Sequence, residues 1–533
     1  MPPAAWNGFG SKVYTIECRH FSIHYVQGLE QVAREAGAIF ESLYDVYSKT
    51  YGIVLPAKTK VLIIDGEITN GLADPNHNFI ILWPHDFDIN LRGTHDWLRG
   101  VIAHEYAHIL SITAGLKLPP FIPAIQIGYY NHPNEPYRIE ALHIFPEEIL
   151  PPWFTEGIAQ YEDSRKGTDS WDSHRDMILR TLVVSGKMLS QARMFEFAGN
   201  GEDLEKTYNH GFSLVKYIAD TYGYDKVVSL LKECTHFFRL DFNAAIKKVL
   251  GITGQQLYND WKRSLEIKYG DQVKKLGKQV YGRKINKEGY DNYWPKFSPD
   301  EKKVFFISNG KADFSFLSKS LYSYSLADTV KEDKKIKEEK GVSSFYSIHA
   351  PSGLIAFTSM KSGKSTVPAN QGGGRALDAF IDTLPPAKKV LNPFKPKTER
   401  QVTKRQSVYG AVFSPTGEKL ALVLRRIDKF YLCSADTNGK NIQPLYPDTA
   451  SNSPIQPMKY IYSLDWSADG RHIAVSYIDT GFRKIGVYDT LTHQFDVMKN
   501  RIRRSRSPLQ RRWKKPVFFL RQDRNLQHLP VRL

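Results

Sequence analysis

The residues best equipped for chemistry are His104-Glu105-Tyr106-Ala107-His108. They lie in a run from Leu98 to Leu110 that can continue as one helix. At 3.6 residues per turn, positions i and i+4 share a face, so both imidazoles can reach one metal ion. Glu105 is rotated by one position, where its carboxylate can approach a water on that metal without being a ligand. Zinc suits such donors: it takes nitrogen and oxygen ligands tetrahedrally, and a catalytic zinc keeps one position for water. The pKa of such a water falls to roughly 7, and a carboxylate base completes the nucleophile. The alternative is a helix with two incidental histidines. HExxH arises by chance in roughly two or three of a hundred chains of this composition. Ile102, Ala103, Ala107, Ile109 and Leu110 surround the motif with apolar side chains, which predicts a core-facing position. Unpaired imidazoles would be costly there, which favours the metal.

A third ligand is needed. Downstream runs Pro151-Pro-Trp153-Phe-Thr155-Glu156-Gly157-Ile-Ala159-Gln-Tyr161-Glu162-Asp163. Two prolines followed by Thr155 predict a helix start with Glu156 in its first turn, where a glutamate is also favoured by the helix dipole alone. Taken with the two histidines, Trp153-x-x-Glu156-Gly157-x-Ala159-x-Tyr161 resembles the gluzincin zinc metallopeptidases, specifically the aminopeptidase N-like group and its peptidase MA-like relatives. That resemblance implies an α+β thermolysin-like domain holding one Zn(2+) per chain, with Glu156 as the third ligand. Thr207-Tyr208-Asn-His210-Gly211 resembles the same family's Tyr-x-x-Gly segment at the head of a helix. By that likeness the Tyr208 hydroxyl donates to the oxyanion, a preorganised electrostatic role; His210 is the rival donor, and a buried structural tyrosine the bland reading. Asp163 stands where relatives place an acid that supports a ligand histidine, though Glu162 is adjacent.

In the place of the family's substrate-binding edge strand stand Asn78, Phe79, Ile80 and Ile81, at the start of the apolar segment Asn78–Trp83. An extended peptide would add to such a strand through backbone hydrogen bonds. The chain departs from the family in two ways. There are 47 residues between His108 and Glu156, and they include an apolar, Pro-rich insert, Ala114–Leu150. It is expected to form a lid or loop beside the cleft, or alternatively to touch a membrane surface. No Gly-x-Met-x-Asn segment lies upstream to hold a free amino terminus, so endopeptidase and aminopeptidase readings both stand. The implied chemistry is zinc-dependent peptide-bond hydrolysis of a peptide or protein substrate, with Glu105 as general base.

The elements that must position these residues are legible in outline. Residues 1–269 read as one α+β domain. Val13–Val26 suits one or two strands, Gly28–Tyr51 a helix, and Lys60–Asp65 and Asn78–Trp83 short strands. Helices are predicted over Trp97–Thr113, Trp153–Asp163, Ser173–Ser185, Gly211–Tyr222, Tyr224–Cys234 and Gln255–Tyr269. Residues 270–289, rich in Lys and punctuated by Gly, read as a connector. Residues 290–500 then repeat one pattern. Phe297-Ser-Pro-Asp, His349-Ala-Pro-Ser-Gly, Phe413-Ser-Pro-Thr-Gly and Trp466-Ser-Ala-Asp-Gly each lead into an apolar strand, at spacings of 52, 64 and 53 residues. A period near 50, with a turn feeding a buried strand, predicts an all-β propeller that is incomplete at four blades. This part resembles the WD40-like propellers of bacterial exported proteins, and a protein partner on it is one expectation.

Composition narrows the rest. The chain has 533 residues, 41% hydrophobic and 24% charged, with a net charge of +17. Residues 501–533 carry nine Arg and two Lys against Asp523 alone, so most of the excess sits in this segment. It reads as a basic tail, or as a blade lost to a frameshift or truncation. A shaped basic surface is missing from the remainder, which argues against nucleic acid as a partner. Cys18, Cys234 and Cys433 are too few and too far apart for a disulfide framework or a metal knuckle. No apolar run approaches the ~20 residues of a membrane span. No signal peptide is visible after Met1, which reads as a late start if the chain is exported like the proteins it resembles. The competing reading is a non-catalytic, propeller-based binding or scaffold protein of the cell envelope.

Overall fold

Sequence alternation between Val13 and Val26 resolves into two antiparallel strands, β1 (Val13–Glu17) and β2 (Phe21–Val26). The computed structural model describes residues 12–65, 69–85, 96–117, 126–130, 139–143, 149–165, 173–197, 201–277, 292–309, 319–326, 334–335, 342–360, 377–383, 400–403, 407–426, 429–447, 458–479 and 483–498. The chain divides into two compact units, Ser11–Val280 and one built chiefly from Tyr281–Leu533.

In the first unit, helix α1 (Glu30–Tyr51) crosses from β2 to its parallel neighbour β3 (Thr59–Ile63). Such a connection is what parallel neighbours require. Strand β4 (Gly71–Asp74), a single 3-10 turn and β5 (Phe79–Leu82) follow. The sheet order is β1-β2-β3-β5-β4, with β5 parallel to β3 and antiparallel to β4. The strand expected at the edge is therefore interior. Phe79, Ile80 and Ile81 have their backbones paired on both sides, and Asn78 passes its carbonyl to Lys60 N–H. Among the described strands, β4 forms the edge on this side of the sheet. Apolar content marked β5 as a strand because it is central; Gly71-Leu-Ala-Asp74 has no such signal.

Helix α2 (Trp97–Gly115) carries the histidines and is buried nearly all round, as a helix between two layers must be. Its first residue is tied to the sheet by Trp97 Nε1 donating to the Trp83 carbonyl at 2.8 Å. Packing against α1 includes Tyr47, whose hydroxyl donates to the Ala103 carbonyl at 3.3 Å and whose ring stacks on Tyr106. Of the insert after α2, the described part contains an antiparallel hairpin, β6 (Gln126–Tyr130) with β7 (Ile139–His143). Then come α3 (Pro152–Arg165), α4 (Ser173–Val184), α5 (Gly201–Tyr222), α6 (Tyr224–Cys234), α7 (Phe242–Leu250) and α8 (Gly254–Lys275).

Three expectations change here. Helix α5 begins ten residues before Gly211, so Tyr208 lies inside a helix and not at its head. Pro152 is the first residue of α3, the position proline favours, which moves Glu156 into the second turn. The connector's first residues, 270–275, continue α8, since Gly270 faces open space and costs the helix no packing.

The second unit contains four four-stranded antiparallel sheets, each formed by consecutive strands, the first running from Asn292 to Lys335, the second from Val342 to Gln401, the third from Val408 to Tyr446 and the fourth from Tyr460 to Val497. This is the blade pattern that the repeat predicted. Its turns have a common chemistry. Ser298, Ser414 and Ser467 each donate their N–H to a carbonyl five residues on and accept that residue's N–H on their hydroxyl, at 2.8–3.1 Å. The turn then needs a left-handed residue, supplied by Gly353, Gly417 and Gly470 at φ 64, 77 and 72°, and by Glu301 at 55° in the first sheet. Residues 501–533 and 278–291 lie outside the described residues.

Candidate metal centre

One turn apart on α2, His104 and His108 aim their Nε2 atoms at the same point, 3.1 Å from each other. Glu156 of α3 brings Oε2 to 3.3 Å from both. The side chains are 15%, 10% and 10% exposed. Among the described residues these three form a group able to hold a metal ion. Glu156 Oε2 is buried and accepts no hydrogen bond, although two imidazole nitrogens face it. Burial raises the Glu156 carboxyl, but the adjoining His108 and His104 more than offset this and hold it below the ordinary carboxylate range. An oxygen so placed, with nitrogens turned toward it, fits a cation seated among the three atoms.

Two close approaches without side chains set this geometry. Helices α3 and α5 cross at Gly157 and Gly211: a Cβ on Gly157 would overlap the Gly211 carbonyl, and one on Gly211 would overlap the Trp153 carbonyl. Glu156 directly precedes the first glycine and Tyr208 lies three residues before the second, so the crossing brings both toward α2. The Tyr208 ring centroid is 6.2 Å from that of His104. The other approach is at β4. A Cβ on Gly71 would overlap the Glu105 carboxylate, so this buried side chain lies directly against β4. Glu105 stands outside the three-donor group.

The rival donors are engaged elsewhere. His210 is fully buried, with Nδ1 2.7 Å from the Lys206 carbonyl and Nε2 accepting from Leu189 N–H at 3.4 Å. Glu162 is also fully buried and accepts from the hydroxyls of Tyr51, at 3.1 Å, and Tyr224. Burial, followed by Tyr224 and Glu162, keeps the Tyr51 phenol well above its usual pKa, so it remains a donor. Asp163 is buried beside it on α3. The three cysteines are free thiols; burial pushes Cys234 up to about 12 and raises Cys18, which removes both as nucleophiles near neutral pH.

Sequence reasoning missed β4 and the helix crossing. Gly71, Gly157 and Gly211 were the available signals, since an isolated glycine in a strand or helix marks a close backbone approach.

No protein-family profile matches the chain, and no curated protein matches it. Similar solved structures include TolB from Acinetobacter baumannii, 17% identical over 39% of this chain and 43% of that one, with a TM-score of 0.28. An oligogalacturonate lyase in complex with manganese is 13% identical over 39% of this chain and 54% of that one, at a TM-score of 0.27. A Mycobacterium tuberculosis puromycin-hydrolyzing peptidase is 15% identical over 38% and 29%, also at 0.27. The chain spans less than two thirds of each of these three proteins. The gluzincin resemblance is therefore corrected: the likeness found is to these proteins and not to a gluzincin, and the thermolysin-like label for the first unit goes with it. The physical reason is that two short motifs specify a local donor set, which can be carried by unrelated chains.

Proposed function

We propose that the first unit binds one zinc ion through His104, His108 and Glu156 and hydrolyses peptide bonds. The observation that carries this reading is the spacing of the three donor atoms, 3.1, 3.3 and 3.3 Å. Zinc bonds of about 2.0–2.1 Å at the tetrahedral angle put ligands about 3.3 Å apart. Two imidazoles and one carboxylate are a donor set that suits zinc, whereas calcium takes oxygen ligands only. When bound, zinc supplies a Lewis acid that activates water near neutral pH and polarises a carbonyl.

The chain's own residues supply the remainder. Glu105 takes the proton of the attacking water and returns it to the leaving amine. Tyr208 donates its hydroxyl hydrogen bond to the developing oxyanion, and Asp163 supports a ligand imidazole. β4, the edge strand beside Glu105 among the described strands, offers backbone N–H and C=O groups to an extended peptide.

Metal content of the purified chain beside His108→Ala tests the site: about one zinc per chain is expected, lost in the variant. Glu105→Gln should keep the zinc and lose hydrolysis of a peptide library by about a thousandfold. Full activity in that variant would remove Glu105 from the mechanism. A chain that takes up no zinc when supplied with it would favour a binding role for the repeated sheets.

A further inference from the structure

The link from α6 to α7 exposes three large apolar side chains on seven residues. Phe238 is 90% exposed, Leu240 68% and Phe237 57%. Both ends of the link are fixed in the core, by Cys234 at 0% and Phe242 at 2% exposure. Between them the chain makes a tight turn closed by Arg239 N–H donating to the His236 carbonyl at 2.9 Å. The two corner positions of that turn are Phe237 and Phe238, where turns ordinarily place Gly, Asn, Asp or Pro. Their rings meet edge to face at 5.3 Å.

Two carbonyls of this tip are bonded within the chain. Lys117, two residues past the end of α2, donates its ammonium to the carbonyls of both Phe237 and Arg239. Arg239 also pairs with Glu233, and Asp241 caps α7 by accepting from Asn243 N–H. Between Lys232 and Lys248 there are four basic residues against two acids, and these interactions engage both acids. An apolar tip with two carbonyls bonded within the chain, in a stretch with an excess of basic residues, has features that a lipid interface selects: apolar side chains enter, backbone polar groups are better satisfied internally, and basic residues meet anionic headgroups.

We propose that the Phe237–Leu240 tip inserts into the interface of an anionic membrane and holds the α2 end of this unit at its surface. A protein partner fits less well. Stable interfaces cover about 800 Å² on each side, and three side chains projecting from one turn present only a few hundred.

The full chain is tested with vesicles of phosphatidylglycerol and phosphatidylcholine at physiological ionic strength; every variant keeps the Arg-rich segment 501–533, so a difference from wild type reports the tip. Wild type should pellet with the vesicles, and the Phe237→Ser/Phe238→Ser double variant should bind about tenfold more weakly. Phe297→Ser, which alters a phenylalanine 61% exposed in the other unit, should bind as wild type does. Far-ultraviolet circular dichroism and the denaturation midpoint establish that the double variant is folded. Equal binding by wild type and the double variant would overturn the proposal, as would absence of wild-type binding. If the double substitution instead abolishes a concentration-dependent dimer and leaves lipid binding untouched, the tip belongs to a contact between copies and the proposal fails. The proposal is independent of the metal centre and is read without any activity measurement.

Discussion

Glycine serves different purposes at the metal centre of the first unit and at the repeated turns of the second. In the first, Gly71, Gly157 and Gly211 sit where another group comes too near for a Cβ, and what they provide is space. In the second, Gly353, Gly417 and Gly470 provide an angle, a left-handed φ at the corner of a repeated turn. Space is particular to one contact, whereas an angle can be supplied approximately by another residue. The first sheet shows this: Glu301 occupies the left-handed position at φ 55° and the turn still closes. A site made of close approaches has single-copy parts; a repeat is built from parts that tolerate exceptions.

The largest effect that could break this contrast is at the helix crossing. Gly157→Ala would drive a methyl group into the Gly211 carbonyl, and overpacking against backbone should cost about 2–3 kcal/mol. It should also displace Glu156, so the urea midpoint and the bound zinc should fall together. A stable, zinc-replete variant would show that the helices have slack. Gly71→Ala comes next. Its methyl meets the end of the Glu105 side chain and Val101, both able to shift, so folding should change by less than about 1 kcal/mol. Hydrolysis should nevertheless drop about tenfold or more with zinc retained, because the base is displaced. Equal losses of stability and activity would erase that distinction. The smallest effect sharpens the other side: Glu301→Gly relieves a left-handed φ and should stabilise the sheet unit by about 0.5 kcal/mol, read from its denaturation midpoint.

The contrast also explains what the sequence disclosed. His104, Glu105 and His108 could be read because helical spacing alone puts two imidazoles on one face. The four sheets could be read because a pattern stated four times survives its exceptions, including Ala350 in the place of the turn serine. Glu156 took its role from a short motif, and that motif suggested a family to which the comparisons give no support. The edge strand was misplaced because apolar content reports burial: Phe79–Leu82 is apolar since it lies inside the sheet, while an accessible edge has no reason to be. The expected helix start at Gly211 follows from the resemblance, which puts a Tyr-x-x-Gly segment at the head of a helix. Only packing against Gly157 shows why a helix of 22 residues keeps Gly211 near its centre.

The Gly157–Gly211 crossing has one more consequence. Most helix contacts are cushioned by side chains that can change rotamer and absorb a small displacement. Here peptide groups meet directly, so the joint has no adjustable parts and behaves as a weld. Glu156 and Tyr208, one and three residues from it, are carried on a single rigid bracket. A disturbance to either helix moves both, because the two backbones that carry Glu156 and Tyr208 are packed directly on each other with no side chain between them.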